Sequence, residues 1–140
     1  MILPDVNVLI HAVNADSPRN ARIHGWWDAC LSGSAPVGLA WAVTLGFVRI
    51  TTNHRVMENP LSLDQAADYV RSWLAQPCVR TVVPREGHWD LVESLLRAAG
   101  TAGNLTTDAH LAALAMQQGY TLYTTDTDFS RFPGLKWSLP

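Results

Sequence analysis

Short apolar runs alternate with longer helical patterns along the chain, and this alternation restricts the fold more than any other feature. The apolar runs predict strands at residues 2–4, 36–39, 79–83, 120–123 and 135–137. Helical spacing of apolar residues predicts helices at residues 6–13, 19–32, 40–52, 63–76, 87–99 and 106–118. Strands separated by helices are typical of an α/β domain with a mainly parallel central sheet, so we predict that fold class.

The length and composition favour one globular domain spanning residues 1–140. Hydrophobic residues make up 48% of the chain, which argues against disorder. No apolar run approaches the ~18–20 residues of a membrane span. The chain also begins without the basic segment and long apolar stretch of a signal peptide. We expect a cytoplasmic protein with no membrane partner.

Charge, cysteine and histidine define no site in the sequence. The formal net charge of −2 argues against nucleic-acid binding through bulk basicity, although nine of the ten basic residues are arginine. Cys30 and Cys78 lack the C-x-x-C spacing of zinc and redox sites, so we expect reduced, packed thiols. The histidines are scattered in sequence, and His110 should point away from Asp108 two positions earlier. We assign no histidine to catalysis.

Four aspartates lie where an α/β fold places functional groups. Asp5 follows the first predicted strand, Asp126 and Asp128 follow the fourth, and Asp108 lies in the first turn of the last predicted helix. Functional residues of parallel sheets lie just past the carboxyl ends of the strands. Each aspartate alone is explained by helix or turn capping. Together they predict one acidic pocket.

Clustered carboxylates repel each other, and a bound cation offsets that cost. Oxygen ligands select Mg²⁺ or Mn²⁺ over zinc, and such an ion activates water during displacement at phosphorus. We therefore expect a phosphodiester or phosphate ester as substrate. Asn7 could add a ligand or bind a metal-bound water, and capping is an equal alternative. Thr125 could orient Asp126 through its hydroxyl, or serve as an ordinary strand or turn residue.

Several motifs together resemble the PIN-domain family, in particular the VapC toxins of toxin–antitoxin pairs. Residues 4–10 (PDVNVLI) resemble its opening segment, and residues 108–115 (DAHLAALA) its third acidic motif. Residues 124–129 (TTDTDF), followed by 131–135 (RFPGL), resemble its fourth motif and tail. Residues 47–53 (FVRITTN) match its middle segment. The resemblance covers essentially the whole chain, in the family's order.

The resemblance implies a three-layer α/β/α sandwich and Mg²⁺- or Mn²⁺-dependent endoribonuclease activity. The implied substrate is structured RNA, such as tRNA or rRNA, and the implied effect is inhibition of translation. The resemblance also implies a homodimer and a cognate VapB-type antitoxin whose tail covers the acidic groove. By the same resemblance, Asp5, Asp108 and Asp126 are metal-site carboxylates, and Asp128 is an additional acid.

Gly46 departs from the family, because many members carry a glutamate at this place. A glycine inside a helix costs roughly 0.5–1 kcal/mol relative to alanine, so helix stability does not explain it. The site has one carboxylate fewer than usual. Two functions stay open: an endoribonuclease of reduced activity, or a PIN fold that binds RNA or an antitoxin with weakened or lost cleavage.

Arg49, three positions after Gly46, is a candidate contact for RNA phosphate or a site carboxylate, with a structural ion pair as an equal alternative. A haloacid-type phosphatase is a second enzyme class, suggested by the D-x-D at Asp126 and Asp128. It is not favoured, since only twelve residues follow Asp128 and Lys136 is the sole lysine.

Overall fold

The computed structural model describes all 140 residues and contains one five-stranded sheet. The strands are β1 (Ile2–Pro4), β2 (Val37–Ala40), β3 (Val79–Val82), β4 (Thr121–Tyr123) and β5 (Trp137–Ser138). They lie in the order β3-β2-β1-β4-β5, and every neighbouring pair is parallel. The predicted α/β class is confirmed, and the sheet is parallel throughout rather than mainly parallel.

Six helices flank the sheet, as predicted. They are α1 (Val6–Val13), α2 (Asn20–Ser32), α3 (Trp41–Thr51), α4 (Leu63–Leu74), α5 (His88–Ala99) and α6 (Leu105–Gln118). Helix α1 packs on α2 and α3, α3 packs on α4, and α5 packs on α6. Parallel crossovers are right-handed, so the reversal of strand order after β3 puts α5 and α6 on the opposite face. The result is the expected three-layer sandwich.

Most helix ends lie within one residue of their predicted positions, and the larger differences have local causes. Helix α4 begins with a capping box between Ser62 and Gln65. It ends at Leu74, earlier than predicted, because Pro77 disfavours helical geometry at the preceding Gln76. The 3-10 helix Thr127–Arg131 was not predicted.

The core fills the space between the sheet and both helical layers. Leu3 and Leu122, on the neighbouring strands β1 and β4, are fully buried. Trp27, Phe47 and Trp73 form an aromatic cluster on the α1–α4 face, with ring centroids 4.8–5.8 Å apart in the two contacting pairs. No helix combines the length and the apolar character that crossing a membrane requires.

Candidate active site

Asp5 connects strand β1 to helix α1 and is almost completely buried, with 6% of its surface exposed. Its backbone N–H donates to the Tyr123 carbonyl at 2.8 Å, which extends the pairing of β1 with β4. Its carboxylate accepts hydrogen bonds from the Val6 N–H (2.7 Å), Asn7 Nδ2 (2.9 Å) and Thr124 Oγ1 (2.8 Å). Asp5 is therefore both the N-cap of α1 and a fixed acid at the carboxyl edge of the sheet.

Thr124, directly after β4, links two of the predicted acids. Its hydroxyl donates to Asp5 and accepts the Asp126 N–H at 3.0 Å, and the side chain is fully buried. The hydroxyl that reaches the Asp126 backbone belongs to Thr124 rather than Thr125, and orientation of the Asp126 carboxylate by Thr125 stays a prediction. Thr125 contributes its backbone N–H instead, which donates to Asn7 Oδ1 at 3.2 Å.

Asn7 joins the first turn of α1 to the end of β4. Its Nδ2 donates to Asp5, and its Oδ1 accepts from the Thr125 N–H. The amide oxygen, which had been a candidate metal ligand, is thus already bonded within the protein. Asp5, not Asn7, is the N-cap of α1, and a role of Asn7 beside a metal stays a prediction.

Asp126 and Asp128 begin the 3-10 helix that follows β4. Asp126 Oδ1 accepts the Asp128 N–H at 2.8 Å, so Asp126 caps this helix. Asp126 is half-buried, whereas Asp128 is exposed. The pair therefore places one carboxyl group partly inside the fold and one at its surface.

Asp108, in the first turn of α6, completes the set of predicted acids. Burial, followed by the negative charges of Asp5, Asp126 and Asp128, raises its pKa from the ordinary value of 3.8 to about 6. No hydrogen bond opposes these effects. Helix α6 therefore brings the fourth aspartate within electrostatic reach of the other three.

The pKa of Asp5 is also raised, and its causes are more balanced. Burial is the largest cause, and the nearby Asp126 charge adds to it. The hydrogen bonds from Thr124, Val6 and Asn7 act in the opposite direction because they favour the charged carboxylate. Asp5 is thus a desolvated acid whose hydrogen bonds only partly offset the cost of its charge.

The donors of this pocket are carboxylate oxygens, the type that Mg²⁺ and Mn²⁺ prefer. No group of three or more histidine, cysteine, aspartate or glutamate side chains is arranged to hold a metal ion, however. Both Asp5 oxygens are engaged in hydrogen bonds, and Asp108 is repelled by the other carboxylates. The donor chemistry fits a hard cation, and the metal-binding roles of Asp5, Asp108 and Asp126 stay a prediction.

Gly46 is buried on α3, against the first turn of α1. A Cβ atom at this position would lie 3.3 Å from Cγ2 of Val6, the residue that follows Asp5. Position 46 therefore borders the first turn of α1, and a longer acidic side chain there would start close to Asp5. The glycine leaves this position, beside the residue that follows Asp5, without a carboxylate.

Arg49 is exposed and takes part in none of the three ion pairs of the structure. The structural ion pair was therefore the wrong alternative, and a contact with RNA stays a prediction. Arg131, at the end of the 3-10 helix, donates a hydrogen bond to the Ala99 carbonyl at 2.8 Å.

Two histidines come together despite their separation in sequence. His88 Nε2 lies 2.8 Å from His110 Nδ1, and His88 Nδ1 lies 3.0 Å from Gln117 Oε1. The prediction that the histidines do not cluster was wrong for this pair, because α5 packs along α6. The contact joins α5 to α6 and includes none of the four aspartates.

Comparisons with known proteins agree with this architecture. The family model described as the PIN domain matches residues 2–135. Ribonuclease VapC33 of Mycobacterium tuberculosis is 41% identical over 140 residues, covering 100% of this chain and 98% of that protein.

Two solved structures share the fold at lower sequence identity. VapC20 of Mycobacterium tuberculosis, described as a sarcin–ricin loop cleaving toxin, superposes with a TM-score of 0.70 at 20% identity and covers all of both chains. VapBC2 of Rickettsia felis, bound to a DNA fragment from its promoter, gives 0.70 at 14% identity, covering 100% of this chain and 99% of the other.

Proposed function

The chain belongs to the PIN-domain family, as a VapC ribonuclease toxin of a toxin–antitoxin system, and from this premise we propose a metal-dependent endoribonuclease that cuts structured RNA. The observation that supports the proposal best is the Thr124 hydroxyl. It fixes Asp5 and Asp126 at one sheet edge, where Asp108 also lies within electrostatic reach. Such a concentration of acid is costly unless it serves a cation.

In this proposal Asp5, Asp108 and Asp126 hold Mg²⁺ or Mn²⁺, and Asp128 assists from the rim. The bound cation would supply an activated water and neutralise charge at the scissile phosphate. Thr124 holds Asp5 and Asp126 close together, because its one hydroxyl bonds both the Asp5 carboxylate and the backbone N–H of Asp126. These hydrogen bonds position the Asp5 carboxylate and the Asp126 backbone before any substrate arrives.

We propose tRNA or rRNA as the substrate class and inhibition of translation as the outcome of cleavage. The description of VapC20 as a sarcin–ricin loop cleaving toxin supports an RNA target of this kind. A net charge of −2 makes local contacts more important than bulk attraction. Arg49, exposed and without an ion-pair partner on α3, is our candidate for a phosphate contact.

The proposed partners are a cognate VapB-type antitoxin and a second copy of this chain, in the cytoplasm. Support for the antitoxin comes from the family and from VapBC2, which is a complex of that kind by its name. In this arrangement the antitoxin's tail covers the acidic groove and keeps RNA away from Asp5, Asp108 and Asp126.

A second function follows from Gly46. Because the wall beside Val6 lacks an acid, this chain would bind RNA or antitoxin while cutting slowly or not at all. The two functions share a fold and partners, and they differ only in the rate of cleavage.

Cleavage of total tRNA and rRNA in Mg²⁺ or Mn²⁺ separates them. The unmodified chain is compared with Asp5→Ala and with Gly46→Glu. Cleavage by the unmodified chain, abolished in Asp5→Ala and by EDTA, is the expected result. If only Gly46→Glu cuts, the binding function is correct. If all three chains are equally inactive with metal present, the ribonuclease proposal fails.

A further inference from the structure

The fold brings Cys30 and Cys78 together, although 48 positions separate them in sequence. Cys30 lies in the last turns of α2, and Cys78 directly precedes β3. The Cys78 thiol lies 3.3 Å from the Leu31 carbonyl and 3.7 Å from the Cys30 carbonyl. We propose that these two thiols form a reversible intramolecular disulfide when the protein meets hydrogen peroxide.

The surroundings of the two sulfurs differ in a way that orders the reaction. Both residues are half-buried free thiols. Cys78 lines a surface recess with Gly33, Ser34, Pro36, Pro77 and Arg80, so a small oxidant reaches it. Burial, and then the neighbouring Cys78, raise the pKa of Cys30 to about 11. Burial therefore makes Cys30 a poor first nucleophile, and its position in the recess makes Cys78 the sulfur that peroxide reaches first.

The chemistry balances with peroxide as the only oxidant. The Cys78 sulfur attacks one peroxide oxygen, the O–O bond breaks, and a sulfenic acid and one water form. The Cys30 sulfur then attacks the Cys78 sulfur, the S–O bond breaks, and a second water leaves with the Cys30 proton. Two thiols lose two electrons in total, and peroxide is reduced to two waters. A dithiol reductant reverses the bond by exchange.

The bond would act on stability rather than on the acidic pocket. Strand β3 is an edge strand that pairs only with β2. A bond from Cys30 to Cys78 would tie this edge to α2 and close a loop that contains β2, α3 and α4. Cys78 lies at the amino end of β3, whereas the aspartates lie at the carboxyl edge of the sheet. The oxidised protein should therefore resist unfolding while its cleavage activity stays the same.

The test treats the full chain with hydrogen peroxide and follows intact mass, a non-reducing peptide map and thermal unfolding. We expect a loss of about 2 Da, a peptide linked through Cys30 and Cys78, and full reversal by dithiothreitol. Closing a loop of this length should raise Tm by roughly 5–10 °C.

Cys30→Ser and Cys78→Ser serve as matched controls, since each keeps a small polar side chain but removes one sulfur. Neither should show the mass loss or the Tm shift. Oxygen adducts on Cys78 without a linked peptide would overturn the proposal, as would a bond that forms only between two chains. A linked form with unchanged Tm would overturn its stabilising role.

Discussion

Asp5 and Asp108 lie within electrostatic reach of each other and both have a raised pKa, but their hydrogen-bonding surroundings differ. Asp5 accepts hydrogen bonds from Val6, Asn7 and Thr124, on two different segments of the fold. Asp108 is affected only by burial and by three other carboxylates, all of which penalise its charge. Hydrogen bonds hold the Asp5 carboxylate in place, whereas none offsets the cost of charging Asp108.

The comparison separates two properties of an acid: how firmly the fold positions its carboxylate, and how much its charge costs in stability. The fold defines where the Asp5 carboxylate lies before any ligand binds, because its donors come from the rigid end of β4 and the start of α1. Asp108 lowers the stability of the folded chain when it is charged, so an amide would fit better there. An acid kept at such a cost is typical of a functional site. The variants below test the positioning of Asp5 and the cost of charge at Asp108 separately.

The largest effect is expected for Asp5→Asn. The amide keeps the size of the side chain but removes a negative charge, and it cannot accept through both former oxygens. RNA cleavage should fall at least about 100-fold, measured as initial rate at saturating Mg²⁺. Asp64→Asn, at an exposed aspartate in the first turn of α4, is the control and should keep full activity. An Asp5→Asn rate within a few-fold of the parent would remove Asp5 from the site.

Thr124→Val should lower both activity and stability. The methyl replaces a buried hydroxyl, so Asp5 loses a donor and the Asp126 N–H loses its acceptor. We expect a loss of roughly 1–3 kcal/mol in the free energy of unfolding. Cleavage should fall roughly 10- to 100-fold.

Thr124→Ser is the matched control, because it keeps the hydroxyl and removes only the methyl. It should retain most of the activity. If serine and valine reduce the rate equally, the hydroxyl does not position the acids, and Thr124 matters only through packing.

Asp108→Asn should lower cleavage, by less than Asp5→Asn does, yet stabilise the fold without metal. Its folded-state pKa of about 6 exceeds the ordinary value of 3.8. The folded state therefore binds more protons, and stability falls as pH rises from about 4 to about 6. Solvent screening of this half-exposed group limits the gain at pH 7 to roughly 1–2 kcal/mol.

Urea unfolding in EDTA at several pH values tests this expectation. The parent chain should lose stability across the stated window relative to Asp108→Asn, and the two curves should meet near pH 4. Asp90→Asn, in the first turn of α5, controls for the helix dipole. If Asp108→Asn is less stable than the parent at pH 7, the carboxylate is stabilised by contacts other than those described.

The sequence predicted the acids on this edge because their positions depend on local patterns. The run Ile2–Pro4 ends where Asp5 can cap α1. The spacing of the helix that begins at Leu105 is enough to place Asp108 in its first turn. The pairing of β1 with β4 is different, because it joins residues more than a hundred positions apart. Sequence patterns identify such strands without specifying their neighbours.

Side-chain contacts between distant segments were the part that sequence could not supply. Thr124 and Thr125 are adjacent and identical, and only the end of β4 decides which hydroxyl points to Asp5. The pairing of His88 with His110 likewise depends on how two helices pack, and neither spacing nor composition encodes it. Local rules gave the residue types of the site, and tertiary packing decided their connections.

The smallest effect is expected for Gly46→Ala, which tests how tightly the Asp5 side is packed. Alanine favours the helix by roughly 0.8–1.0 kcal/mol, but its Cβ would lie 3.3 Å from Val6 Cγ2 and press on the residue whose N–H holds Asp5. The two effects oppose each other, so the free energy of unfolding should change by less than about 1 kcal/mol. Cleavage should change only a few-fold, since Val6 can yield slightly. A large loss of activity with normal stability would show that Asp5 tolerates no displacement, and that the glycine maintains its position.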